Sequence, residues 1–452
     1  LPFALSAESY STISPSLGAK SLDVMVQAGI IAFILVAILM IVRYRLPGTI
    51  AVISLMGQAA ATLAVVSGYF TVFPGSTLTL PGIAGIILGI GMGVDANVIT
   101  AERIKEELSK NKTLEGAVNS GFKMGLTPII DGNVTIVIVA AILMGAFGPT
   151  DGFWAKVFNP IFYWFGPSTA GTIYSFGFTL LTSVLLNFVF GVWATRVMIR
   201  GAVHFKPLRN AWLFGGKKEG GADFKTPSIN FIGNRKKFYT FSCALIAVVL
   251  VFCGIFGVKM DVEFKGGSMI TLAYEGDADL NDLKSTIGTE LGKSNLTLQT
   301  GSDISGNQTL TVTLPGSDTL TTEQLDNLLA ALNEQYPDNK FVQNEVSNVD
   351  ATIGKEFLLK SVVALVAACV LILLYVAYRF RKIGGLKAGS TAIVALLHDM
   401  FVVFGVFVLL RIPLNGNFIA ALLTILGYSI NDTVVIYDRI RENSALYSKK
   451  QM

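Results

Sequence analysis

The chain has 452 residues, 52% hydrophobic and 15% charged, with a mean hydropathy of +0.59 and a net charge of +4. Soluble domains carry about 25% charged residues, so most of this chain belongs in a bilayer, and no nucleic-acid partner is expected. Three cysteines, Cys243, Cys253 and Cys369, all lie in apolar runs, and there are two histidines, His204 and His398. That usage excludes a disulfide framework and a histidine-rich metal site, and no cofactor is expected.

The chain opens at Leu1 on a polar stretch, 1–22, with no visible signal peptide, which leads to the expectation that it is a piece of a longer protein. Nine apolar segments long enough for a bilayer core follow, at about 24–42, 48–70, 80–101, 125–147, 173–195, 239–258, 358–377, 389–410 and 416–437. Lysine and arginine cluster on alternate connections: Arg43 and Arg45, Arg103 to Lys123, Arg196 to Lys237, Arg379 to Lys387, and Arg439 to Lys450. By the positive-inside rule these mark the cytoplasmic face and put residues 1–22 and 259–355 outside it. The aromatic insert 148–171 carries Trp154, Tyr163 and Trp164, side chains suited to the membrane interface.

Residues 261–350 are polar. Runs with strand character at 268–275, 295–300 and 308–314 alternate with helical patterns at 278–292 and 321–336. The spacing predicts a small α+β domain of ferredoxin-like type acting as a binding or spacing module.

The membrane part repeats itself. Both Tyr44-Arg45 and Tyr378-Arg379 end an apolar helix, and a shift of 336 residues places Gly18 on Gly354, Gly91 on Gly427, Arg103 on Arg439 and Glu106 on Glu442. Both copies run in the same sense, so two parallel pseudo-repeated helix bundles related by an axis along the membrane normal are expected. The boundaries read as the extracytoplasmic tail of a missing domain at 1–22, a first bundle of five helices at 23–200, a cytoplasmic linker at 201–237, a helix at 238–260, the α+β domain at 261–350, and an incomplete second bundle of three helices at 351–452.

Four carboxylates fall inside apolar spans: Asp95, Asp131, Asp399 and Asp432. Counted from Arg103, Lys123 and Arg439, the acids at 95, 131 and 432 lie roughly 10–12 Å inside the helix ends. A charge at that depth costs at least about 2.5–3.5 kcal/mol, and such residues usually mark ion or proton paths. No lysine or arginine reads as mid-span, so no internal basic partner is expected. Asn97, Asn133 and Asn431 stand beside these acids and can orient a carboxyl or a water file, or simply tie helices together. The 336-residue shift aligns Asp95 with Asn431 and Ala96 with Asp432, about 100° apart around a helix.

At these residues the chain resembles a known family. "GMGVDANVITAERIKEE" (91–107) is similar to a motif of the SecD protein-export subunit. "VEFKGGSMITL" (262–272), "LLHDM" (396–400) and "GYSINDTVVIYDRIREN" (427–443) are similar to motifs of SecF, the two being fused in some bacteria as SecDF, of the resistance–nodulation–division superfamily. The resemblance implies twelve helices, nine of them visible here, in a bacterial cytoplasmic membrane protein that uses the proton-motive force to promote polypeptide export and is not an enzyme. It also implies the SecYEG channel and the translocating unfolded polypeptide as partners, with YajC and YidC as further candidates beside lipid and protons. Asp95 and Asp432 would line the proton pathway with an arginine on a later helix that this chain does not reach. Two rivals stand beside this reading: a proton-driven exporter of small molecules or lipids, and a non-transporting scaffold for the translocon or an insertase.

Overall fold

The structure, a computed structural model, describes residues 9–70, 78–165, 171–216, 230–293, 296–302, 306–315 and 320–444. Residues 71–77, the basic linker positions Lys217, Lys218 and Lys225, and the tail with Lys449 and Lys450 lie outside the described residues.

A strand, β1 (Ser9–Ile13), leads into α1 (Pro15–Val66), which contains the first two expected spans. They are joined by a kink and not by a loop. Arg45 takes φ 54° and ψ −120°, and Pro47, which lacks a backbone N–H, follows two residues on. The crossing is tight: a Cβ on Gly48 would lie 2.0 Å from the Met40 carbonyl oxygen. Next come α2 (Leu80–Ser109) and α3 (Leu114–Phe147), started by Thr79 and Thr113, whose hydroxyls accept from the Gly82 and Gly116 amides at 3.1 and 3.2 Å. A short α4 (Phe153–Phe162) occupies the aromatic insert, where Tyr163 and Trp164 are exposed as an interfacial anchor requires. The fifth span is α5 (Gly171–Asn187), a π-helical turn at Phe188–Ala194, and α6 (Thr195–His204). The sixth is α7 (Arg235–Phe256).

After one short turn of helix, α8 (Val262–Lys265), the chain builds the sheet domain. Its elements are β2 (Gly267–Tyr274), α9 (Leu280–Leu291), β3 (Thr297–Ser302), β4 (Gln308–Pro315), α10 (Thr322–Gln335) and β5 (Val342–Val349). This β-α-β-β-α-β succession is antiparallel with strand order β5-β2-β4-β3, the ferredoxin-like arrangement expected. Alternate residues of β2 and β4, Ile270, Leu272, Leu310 and Val312, meet Leu283, Ile287, Leu328 and Leu332 of the two helices in a closed core. A capping box of Thr321 and Gln324 starts α10.

The start of the chain joins this sheet. The tail 1–22 reads from sequence as the end of another domain, yet its residues 9–13 add to this sheet as a fifth strand, Ser9 opposite Val349. An open edge at β5 presents unpaired backbone groups, and a passing segment satisfies them whatever its side chains.

The last three spans are α11 (Ala351–Arg379), α12 (Gly385–Leu409) and α13 (Gly416–Ser444). Eight helices among the described residues are long and apolar enough to cross a membrane, and with the kink in α1 they cover all nine expected segments. The chain is a multi-pass membrane protein. α3 is the most enclosed span. Its Ile136, Val139 and Leu143 pack against Phe176 and Leu180 of α5, Ala364 and Ala368 of α11, and Leu423 and Leu426 of α13. α1 and α7 turn apolar side chains such as Val42 and Phe241 outward, where lipid replaces protein.

Candidate functional site

The two repeats meet where α2 faces α13. At their charged ends the matched residues pair reciprocally: Arg103 with Glu442 at 3.1 Å, and Arg439 with Glu106 at 2.5 Å. Within each helix the same arginines reach their own glutamates, Arg103–Glu106 at 3.4 Å and Arg439–Glu442 at 3.0 Å. Such an exchange is what a two-fold-like axis between the helices produces from a parallel repeat. Glu106, Arg439 and Glu442 are part-exposed and Arg103 is buried; the Arg439 pairs contribute at most about 1 kcal/mol each, and the quartet acts chiefly to set the register of α2 against α13.

Deeper in the same seam lies the acid of the first repeat. The Tyr428 hydroxyl, on α13, donates to Asp95 Oδ2, on α2, at 2.9 Å. Asp432 follows Tyr428 by one helical turn and lies within electrostatic reach of both Asp95 and that hydroxyl. Asp432 itself is exposed among the described residues. The structure therefore brings Asp95 and Asp432 around one tyrosine that sequence reasoning missed. Its signal was available, because Tyr428 stands four residues before Asp432 on one helix face.

Asp131 is held differently. It is 3% exposed, on α3, and takes a bond from Tyr375 Oη at 3.0 Å and from Arg379 Nε at 2.7 Å, both on α11. The expectation that no basic partner is available inside the spans is thus corrected. Arg379 ends α11 and reads as a loop cation in sequence, but α3 runs past it and offers the carboxylate at that depth. Asn431 sits beside this pair: its Oδ1 lies so close to Gly132 that a Cβ there would be 1.7 Å away. Asn133 is likewise buried on α3.

Asp399, on α12, accepts from Ser429 Oγ at 2.5 Å, and His398 Nδ1 lies 3.2 Å from its other oxygen. The four acids thus converge on α13, through Tyr428 and Asp432, Asn431, and Ser429. Asn97 does not join them. It stands two residues from Asp95, about 200° around α2, and its amide donates to the Gly93 carbonyl at 2.7 Å. The idea that Asn97 orients the Asp95 carboxyl finds no contact to support it among the described residues.

A second feature ties this site to the sheet domain. The strand-like segment before α8 pairs with the α12–α13 connection. Leu414 N donates to Lys259 O at 3.0 Å and Asp261 N to Leu414 O at 2.9 Å. Glu263 Oε2 accepts from Gly416 N, the first residue of α13, at 2.6 Å. On its other side α8 rests against α11, where a Cβ on Gly354 would lie 3.0 Å from Gly266 N. The ring of Phe264 meets Phe357 at 5.6 Å, which in turn meets Phe147 at the end of α3 at 5.5 Å. One short turn thus grips the domain-side ends of α3, α11 and α13, the three helices that carry Asp131, Arg379 and Asp432.

Burial raises the pKa values of Asp261, Glu263 and Glu345 at this joint; Asp261 adds to the rise at the other two, and Glu345 to that at Glu263. The amides of Glu263 and Val262 oppose the rise at Asp261, and that of Gly416 opposes it at Glu263.

Known proteins resemble this chain in sequence and fold. A family profile described as protein export membrane protein SecD/SecF, C-terminal, matches residues 2–155 and 329–452, once in each repeat. The protein translocase subunit SecDF of Bacillus subtilis is 30% identical over 456 residues, 98% of this chain and 56% of the relative. SecDF of Thermus thermophilus is 31% identical over 359 residues, 78% of this chain and 43% of the relative. A crystal structure of SecDF from that organism, described as a translocon-associated membrane protein, superposes with a TM-score of 0.80 at 28% identity, covering 98% of this chain and 55% of that one. The chain spans about half the length of the curated relatives it matches. With the profile matched in both repeats and SecDF likeness along almost its whole length, the chain belongs to the SecD/SecF family of protein export membrane proteins.

Proposed function

We propose that this chain is the membrane core of a SecDF-type auxiliary subunit of the Sec translocase, which draws on the proton-motive force to promote export of polypeptide. In this reading it sits in the bacterial cytoplasmic membrane with 261–350 outside, works beside SecYEG on unfolded substrate, and makes or breaks no covalent bond itself. YajC and YidC are candidate neighbours, on the family resemblance alone.

The observation that carries the reading is the Asp95–Tyr428 bond. It joins an acid of one repeat to the other repeat inside the membrane, one turn from a second acid. A proton arriving at Asp95 or Asp432 changes the charge at the contact between the repeats. The Tyr428 hydroxyl is the tie across the repeats at that depth, below the arginine–glutamate pairs at the helix ends. α13 then carries the change to Gly416, where Glu263 and the α8 joint pass it to the sheet domain. One charge crossing 100 mV releases about 2.3 kcal/mol, comparable to the free energy of one charge-assisted hydrogen bond, about 1.5–3 kcal/mol.

The test is export into inverted vesicles with and without a proton gradient. Asp95→Asn should abolish the gradient-dependent part of export, and Tyr428→Phe should reduce it roughly tenfold, the equivalent of about 1.4 kcal/mol. Gradient-stimulated export that survives Asp95→Asn at full strength refutes the proposal.

One observation favours the exporter of lipids or small molecules as a second reading. An apolar cleft of about 520 Å³ opens between the two halves of α1 and α2, lined by Met25, Phe33, Val36, Met56, Ile87 and Val94. Its size falls in the range of ligand pockets. Proton-driven efflux of an apolar dye, lost on filling the cleft with Gly29→Phe, would support that reading over polypeptide export.

A further inference from the structure

On the face of α2 opposite Asp95 runs a second polar file. Gly89, Gly93 and Asn97 are one turn apart there, facing the second half of α1 and α5. Into this face project Gln58 of α1 and Ser183 and Asn187 of α5. With Asn97 these four side chains are between 0% and 4% exposed.

The glycines make room for them. A Cβ on Gly93 would lie 2.4 Å from Gln58 Oε1, and one on Gly89 would lie 2.5 Å from Ser183 Oγ.

The hydrogen bonds fix which way each amide points. Gln58 Nε2 donates to the Gly89 and Ser183 carbonyls at 3.0 and 3.2 Å. Asn97 Nδ2 donates to Gly93 O at 2.7 Å, and Asn187 Nδ2 to Met92 O at 3.5 Å. Flipping any of them would set oxygen against oxygen. All three amide oxygens, and the Ser183 hydroxyl, are buried without a protein partner among the described residues. Two of the amides adjoin: a Cβ on Gly191 would lie 2.0 Å from Asn187 Oδ1 and 3.8 Å from Asn97 Nδ2.

The backbone beside this file is irregular. The π-helical turn starts directly after Asn187, and the Phe190 carbonyl it displaces accepts from the hydroxyls of Ser54 and Thr195. π-turns recur where a helix has a functional demand to meet.

We propose that Gln58, Asn97, Ser183 and Asn187 form an internal hydration site between α1, α2 and α5, holding ordered water inside the membrane-spanning bundle. Three acceptors and one hydroxyl on neighbouring turns suit a molecule that donates twice and accepts once, and buried polar atoms without a protein partner are satisfied in this way. Given the proposed function, the site lets α2 move against α5 without stranding polar atoms, because each bond to water can be remade one position along. α2 then carries its acid on the side toward α13 and ordered water on the Asn97 side toward α5.

X-ray hydroxyl-radical labelling of the full chain in lipid nanodiscs tests this. Radicals form from water where it lies, so a fully buried side chain is labelled only beside bound water. Leu55, which lies 2.6 Å from the position of a Cβ on Gly93, is 0% exposed, as are Leu423 and Leu426 in the apolar core. The three are the same residue type and equally inaccessible to bulk solvent. Leu55 should be oxidised several-fold faster than Leu423 and Leu426. Gln58→Met combined with Asn187→Leu should bring its rate down to theirs.

A Leu55 rate equal to the two controls in the unsubstituted protein overturns the proposal, and that arm requires no variant to fold. Faster labelling that survives both substitutions overturns it as well, since the water would then be held by other groups. Neither outcome depends on export, so the proposed function can fail while the hydration site stands.

Discussion

Arg379 and Asp131 offer an asymmetric test of what holds the second repeat to α3. The Asp131 side chain is 5% exposed and that of Arg379 29%. Arg379→Leu strands a buried carboxylate whose remaining partner is one tyrosine hydroxyl, 3.0 Å away. Removing one member of a buried pair costs about 3–5 kcal/mol. Asp131→Leu instead strands an arginine at the last residue of α11, where its long stem can lift the guanidinium toward the interface. The residual cost is then an unsatisfied Tyr375 hydroxyl and lost hydrogen bonds, about 1–3 kcal/mol. The double variant loses the pair without leaving a charge behind, and should be more stable than Arg379→Leu alone. Unfolding of the purified protein by denaturing detergent in mixed micelles, followed by tryptophan fluorescence, reads these differences. The expected order of destabilisation is Arg379→Leu first, with the double variant and Asp131→Leu below it. Equal losses for the two single variants, or a double variant whose loss is their sum, would show that Asp131 is not held by this arginine.

The reciprocal ion pairs predict a charge-swap result: Arg103→Glu and Glu442→Arg should each weaken the contact between α2 and α13, and together restore it. Crosslinking of cysteines placed on the two helices, at low and high salt, would report the recovery, and a double variant no better than either single one would count against the pairing. At the α8 joint, folded pKa values raised above the unfolded ones mean that the folded state binds more protons. The joint is therefore most stable at low pH and loosens as pH rises from about 4 through the raised values. Hydrogen exchange at the amides of Leu414 and Gly416, corrected for intrinsic rates, should show more frequent opening at pH 7 than at pH 5; Glu263→Gln should flatten that dependence. Gly132→Ala forces a methyl group onto Asn431 Oδ1 and should cost about 1–3 kcal/mol of stability, part of it regained on adding Asn431→Ala. Detergent unfolding of the two variants checks the recovery.

The membrane class, the spans, the repeat and the ferredoxin-like domain were all legible in the chain itself. Hydropathy, a fixed 336-residue shift and period-two alternation are one-dimensional signals, and the forces they report act along a helix or a strand. Asp95, Asp131, Asp399 and Asp432 were legible too, because an acid in an apolar run stands out wherever the run packs. The partners of those acids were not. Arg379 reads as a loop cation, Tyr428 and Tyr375 as apolar-helix tyrosines, and Asn97 as a neighbour of Asp95. Which of them touch depends on the rotation and height at which helices distant in sequence pass one another. Burial across several helices sets those two quantities, and no local pattern encodes them. The same holds for β1 joining a distant sheet edge and for the α8 turn that grips three helices. The amino-acid order by itself determined which elements exist and which residues are too costly to bury idly. Only the tertiary structure decided that Asp95 bonds a tyrosine one turn from Asp432, that Asp131 is tied to an arginine, and that the Asn97 face of α2 packs on α1 and α5.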